Sequence, residues 1–263
     1  MKKILFIFIF FISQGLYSDP KNIHLDVSSD SSNLTLNAHH YDYGSNTVAI
    51  ILHGMRGHRN MEIVNGIANN FIGLNIDSLI PNLSYGISSR NNDFLPCDIK
   101  HSHVNDNNIK EVMEWWRYAN ERYDNIILVG HSMGGQDILS VYKHIMLLQN
   151  NYSIKSIMLF APSSQDYNEI RDSFINSSGV DIEELKTMSL SSYITTDFLG
   201  CKKQEVKVES FLSYYDLSGG RDTVSMLSAI DIPTYIFLAS EDTYVPETAE
   251  KLIDINKDNV QIY

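Results

Sequence analysis

The sequence predicts an α/β fold: a mostly parallel central sheet with helices on both faces and an inserted cap late in the chain. Three observations predict it. Thr47–Leu52, Ile126–Val129 and Ile154–Ala161 are short, continuous apolar runs, the pattern of strands buried on both faces of a parallel sheet. The first two end in glycine-bearing turns, and each is followed by apolar residues at helical spacing. Between Ser163 and Leu227 the strand–helix rhythm breaks, and it returns at Ile232.

The chain has 263 residues, enough to bury the core of one large domain. Its formal charge of −12, with no basic cluster, argues against nucleic acid or anionic lipid as a partner. Met1-Lys2-Lys3, the apolar run Ile4–Ile12 and the small residues that follow read as a secretory signal peptide over residues 1–18, with cleavage after Gly15 or Ser18. The apolar run is too short to span a bilayer, so no stable membrane anchor is expected after cleavage. Residues 19–263 then form a single domain in a secreted or periplasmic protein. Export would place Cys97 and Cys201 where disulfides persist, but spacing alone leaves one bridge and two free thiols equally open.

Taken in order, His24–Val27 and Leu34–Ala38 alternate as two edge strands around a polar turn. His24, His39 and His40 read as surface or edge residues there. The strand Thr47–Leu52 is followed by a helix over Met61–Ile72 and a strand over Leu74–Pro81. Asn82–Asn105 is long, polar and without period, and a loop of that length inside a compact domain usually has a task such as covering a site. His101-Ser102-His103 near its end suits substrate or loop contacts. No third ligand stands at metal-binding spacing, so no metal is predicted. A helix over Asn105–Tyr123 would place Trp116 in the core and Trp115 partly outside it.

The second glycine turn carries the chemistry. Strand Ile126–Val129 runs into Gly130-His131-Ser132-Met133-Gly134, and helical spacing starts directly afterwards. A serine at the apex of so sharp a strand-to-helix turn needs neighbours without Cβ atoms, which Gly130 and Gly134 provide. The first turn, His53-Gly54-Met55, places a backbone N–H, that of Met55, above the sheet. With the N–H of Met133 it would make a two-donor oxyanion hole. His53 itself reads as structural.

The cap over residues 163–227 is richer in Ser, Asp and Tyr and holds helical pieces at Ile182–Met188 and Val206–Tyr215. Such a cap selects substrates and excludes water. Its Phe, Tyr and Leu residues suit an apolar acyl pocket or ordinary core packing alike, and Lys202-Lys203 reads as solvated surface. Strand Ile232–Ser240, the Glu241–Pro246 loop, a helix over Glu247–Ile255 and strand Asn259–Tyr263 complete the chain.

This order of strands, turns and insertion resembles the α/β-hydrolase superfamily along nearly the whole chain after residue 18. The resemblance carries Ser132 onto the family's nucleophile, Asp242 onto its triad acid, and Met55 and Met133 onto its oxyanion donors. It implies acyl transfer to water through an acyl-serine, most simply on a small-molecule ester, with no cofactor. A thioesterase or peptidase differs only in the leaving group. The family's histidine follows the acid, whereas the last histidine here is His144. Without an imidazole a serine hydroxyl is a poor nucleophile at neutral pH. Three expectations stand side by side: a fragment of a longer reading frame, a hydrolase-like protein that binds without catalysis, or a substitute base from His101 or His103.

Overall fold

The computed structural model describes residues 19–29, 32–148, 153–239, 248–253, 255 and 257–263. The leader assigned to residues 1–18 and the acid assigned to Asp242 lie outside the described residues. The chain begins with the hairpin β1 (Lys21–Ser29) and β2 (Ser32–Tyr41), followed by β3 (Thr47–Leu52), α1 (Glu62–Gly73), β4 (Asp77–Asn82) and α2 (Asn105–Asn120). Next come β5 (Asn125–His131), α3 (Met133–Leu147) and β6 (Ile154–Phe160). The segment after β6 holds α4 (Tyr167–Ser178), α5 (Ile182–Leu185), the hairpin β7 (Tyr193–Phe198) and β8 (Cys201–Lys207), α6 (Val208–Tyr215) and α7 (Thr223–Ser228). β9 (Thr234–Phe237), α8 (Thr248–Ile253) and β10 (Val260–Ile262) end it.

Eight strands make one sheet in the order β1-β2-β4-β3-β5-β6-β9-β10. β2 runs antiparallel to both its neighbours, and every pairing from β4 to β10 is parallel. Leu79, Ile50, Leu128 and Ile157 lie side by side across four strands. They face the larger core, which α2, α3 and the segment after β6 cover. Ala49, Ile51, Ile80 and Val129 point the other way, onto Val64, Ile67, Ala68 and Phe71 of α1. Apolar residues on both faces of the same strands explain why the runs read as continuous. Because the strands are parallel, the chain leaves β3 and β5 at the same edge of the sheet, where ligands bind in open α/β sheets. Among the described residues no helix is long and apolar enough to cross a membrane.

Several expectations need correction. His40 is buried, not at the surface: its ring nitrogens meet the hydroxyls of Tyr123 at 2.6 Å and Tyr118 at 3.3 Å, and Tyr123 donates to Asp77. Burial lowers its pKa, and it lowers that of the half-buried His39 to about 4. Trp115 is as deeply buried as Trp116, because α2 touches β3, α3 and α6 and so hides more than one stripe. β4 starts three residues later than expected, after a turn in which Asn75 takes φ 58°. The insertion also contains a hairpin and an N-terminal helix that its composition did not reveal. Cys97 and Cys201 form a disulfide, Cα–Cα 5.6 Å, joining the β4–α2 loop to the first residue of β8.

Candidate active site

Ser132 sits between β5 and α3 with φ 54° and ψ −128°, a conformation rarely adopted by a residue with a side chain. The turn is made by close backbone contact. A Cβ on Gly130 would lie 2.5 Å from the Gly134 oxygen and the Gly135 Cα, and one on Gly134 would strike the His53 carbonyl. The Ser132 N–H donates to the Phe160 carbonyl at 2.9 Å, which ties the apex to the end of β6. Serine at a helix N-cap ordinarily accepts a bond from the first turn. Ser132 makes no such bond, so its hydroxyl is not spent on the helix. Met133 is the first residue of α3, where a backbone N–H has no partner within the helix and lies at the positive end of the dipole.

The turn after β3 lies against this apex. A Cβ on Gly54 would approach the Ser132 Cβ to 3.0 Å. Gly57 N–H donates to the Gly54 carbonyl at 3.0 Å, closing the turn around Met55 and Arg56. His53 is fully buried and its tautomer follows from its partners: Nε2 accepts from Leu83 N–H at 3.2 Å, so Nδ1 carries the proton and donates to the Gly54 carbonyl at 2.9 Å. Burial pushes its pKa down to about 3, so the ring is neutral and structural.

The β4–α2 loop packs over this turn. Arg56 exchanges two bonds with Leu95, whose N–H donates to the Arg56 carbonyl and whose carbonyl accepts from Arg56 Nε, at 2.9 and 2.7 Å. Arg90 is buried and donates to the carbonyls of Leu83, Asp93 and Gly57, which holds the loop in place. The tip of the β7–β8 hairpin comes close as well, since a Cβ on Gly200 would lie 3.1 Å from the Met55 Cε.

His101 and His103 lie between this loop and the hairpin. Asn108 donates to the Tyr214 hydroxyl at 3.0 Å, and that hydroxyl lies 2.9 Å from His103 Nδ1. His103 Nε2 and His101 Nδ1 share one hydrogen bond at 3.2 Å, so the two rings hold each other. Burial lowers both pKa values, that of His103 to about 3. The backbone of His101 also bonds to Glu205 and Lys207 around β8. Both rings are thus buried and bonded within the loop and the hairpin, which fits the loop-contact role.

Two buried carboxyls on α2 and α3 were not singled out from the sequence. Asp137, on the helix that starts after Ser132, accepts from Asn105 Nδ2 at 3.1 Å, and burial lifts its pKa to about 7. Glu111 accepts from Ser84 N–H at 2.8 Å and from the Ser84 hydroxyl, and burial lifts it to about 7 as well. Both sit in helices whose apolar stripe conceals them. Among the described residues no group of three or more His, Cys, Asp or Glu is disposed to hold a metal ion.

No protein-family model matches the sequence, and no curated protein matches it. Solved structures do. Est1E from Butyrivibrio proteoclasticus is similar at TM-score 0.65 and 14% identity, over 91% of this chain and 87% of that one. A putative hydrolase from Agrobacterium vitis S4 gives 0.67 and 14%, over 93% and 89%. The α/β hydrolase domain-containing protein 10 from mouse gives 0.60 and 14%, over 92% and 87%. Eight strands in this order, with a serine turn after β5 and a hairpin-bearing insertion after β6, give this chain the α/β-hydrolase fold.

Proposed function

We propose that the protein is an exported serine hydrolase that cleaves small carboxylic esters through an acyl-serine intermediate. The observation that carries this reading is Ser132, held at positive φ on the β5–α3 turn with its hydroxyl withheld from the helix cap. In this reading Ser132 attacks the ester carbonyl, and the N–H groups of Met55 and Met133 bind the oxyanion. Asp242 orients the general base, and the buried, mutually bonded rings of His101 and His103 serve the loop. The neighbours named as esterase or lipolytic enzymes support the reaction class. One structure of Est1E holds ferulic acid, which makes esters of small aromatic acids the first substrates to try. The Cys97–Cys201 bridge supports export, since structural disulfides persist in oxidising compartments.

The test is labelling by a fluorophosphonate probe together with hydrolysis of p-nitrophenyl acetate and methyl ferulate. The protein should label, and Ser132→Ala should abolish labelling and turnover without lowering the melting temperature. Labelling that survives in Ser132→Ala would overturn the assignment of the nucleophile. A folded wild-type protein that never labels would favour a ligand-binding role on the same fold. Export is checked by the mass of the mature N-terminus, expected to start at Leu16 or Asp19.

A further inference from the structure

The β3–α1 turn has an unusual support. Arg56 takes φ 57°, a left-handed conformation that only a surrounding structure can impose on a residue with a side chain. Its carbonyl and guanidinium are held by Leu95, and its N–H donates to the hydroxyl of Tyr85 at 3.1 Å. That N–H belongs to the peptide between Met55 and Arg56. The preceding peptide, between Gly54 and Met55, is held on its other side by the Gly57–Gly54 bond. The two planes on either side of Met55 are thus fixed by one backbone bond and one phenol.

Tyr85 is itself fixed. It is buried, and its backbone is left-handed at φ 49°. The residue before it, Ser84, gives both its N–H and its hydroxyl to Glu111 of α2. The ring meets His103 edge-on at 5.1 Å, and the Arg90 guanidinium lies 5.2 Å from its centroid. A phenol clamped on every side and ending on a single backbone N–H of the turn is more than core filling.

We propose that Tyr85 is the positioning residue of the oxyanion turn: its hydroxyl sets the Met55–Arg56 peptide and thereby aims the Met55 N–H. This rests on the reading of Met55 as an oxyanion donor. Tyr85 does not touch the substrate and transfers no proton. It acts through Arg56, on a group whose misplacement by about 1 Å costs about a hundredfold in rate.

Tyr85→Phe keeps the ring and removes one acceptor. In the full-length protein the variant should label with a fluorophosphonate about tenfold to a hundredfold more slowly than wild type, by the same positioning argument. For p-nitrophenyl acetate the loss should fall on kcat, with KM within about twofold, because only transition-state binding is affected. Amide exchange over residues 53–57 should accelerate while exchange in β5 stays unchanged. Unchanged exchange over 53–57 overturns the proposal, as does faster exchange there with wild-type labelling. A loss of protection spread through the sheet also overturns it, since it would show that the hydroxyl only supports the core. If wild type fails to label at all, the serine-hydrolase reading fails, and the exchange experiment still decides whether Tyr85 holds the turn.

Discussion

The turn after β5 is held by two glycines packed against backbone, and the turn after β3 by a phenol and a backbone segment 29 and 39 positions further along the chain. In the proposed reaction each supplies one N–H to the oxyanion on Ser132. The first solves the problem locally: Gly130 and Gly134 let strand and helix touch, and the helix supplies the donor. The second has no helix at its apex, and its geometry depends on Tyr85, Leu95 and Arg90 from the β4–α2 loop. That loop in turn is bonded to the β7–β8 hairpin through Cys97–Cys201. A turn built from glycine is rigid by itself. A turn built from long-range props depends on them, and removing one should loosen it more than the serine turn.

The comparison breaks most visibly at Gly134. A Cβ there strikes the His53 carbonyl, which is backbone and cannot swing aside. Gly134→Ala should cost about 3 kcal/mol or more, at the upper end of overpacking effects, and should abolish labelling of Ser132. Urea unfolding measures the first and the fluorophosphonate probe the second. An alanine variant of wild-type stability would show that the elbow has room the packing denies.

Opening the Cys97–Cys201 bridge should act on the other turn. The bond closes a sequence separation of 104 residues, and loss of such a bridge costs about 2–5 kcal/mol in small secreted domains. Treatment with a thiol, or replacement of both cysteines by serine, should lower the urea midpoint. It should also raise amide exchange over 53–57 and at the hairpin tip while leaving α3 protected. Equal loosening at both turns would mean that the bridge steadies the whole domain and has no particular link to Met55.

The same contrast explains what could be read from the sequence. The elbow was legible because its requirement is local: an apolar strand, two glycines at fixed offsets and a helical stripe. The central strands were legible because burial on both faces forces continuous apolar runs. The supports of the second turn were not. Tyr85 and Arg90 lie in a segment without period, and nothing in a linear chain reports that a phenol there meets Arg56. The β7–β8 hairpin was missed because its tight turn is Leu199-Gly200, both at positive φ, where asparagine or aspartate before glycine is the usual signal. His40 and Trp115 were misplaced because edge alternation and a single helical stripe say nothing about a second layer packing over them. Glu111 and Asp137 carry no sequence signal, and only the fold shows them enclosed.

The smallest expected effect is a pH dependence that separates the two turns. Burial lifts Glu111 from 4.5 to about 7, against the opposing pull of its Ser84 donors. Its folded-state pKa is above the unfolded one, so the protonated form favours folding. That contribution is full below about pH 4.5 and is lost as the pH climbs through about 7. Asp137, also lifted to about 7, acts in the same direction. His39, His53 and His103, held at about 4, 3 and 3, act in the opposite direction, their cost at low pH vanishing as the pH rises through 6.5. Between about pH 4.5 and 6.5 the two trends oppose, and only the carboxyl trend persists towards pH 7. Glu111→Gln removes one share of it, so its stability relative to wild type should improve as pH rises from about 5 to 8. A difference that stays flat with pH would place the Glu111 titration outside that window. Since Ser84 and Tyr85 link Glu111 to Arg56, the wild-type-minus-variant difference in amide exchange should change with pH over residues 53–57 and not over 130–135. A matching change at both turns would mean that the elbow leans on the same loop, and that glycine packing alone does not hold Ser132 in place.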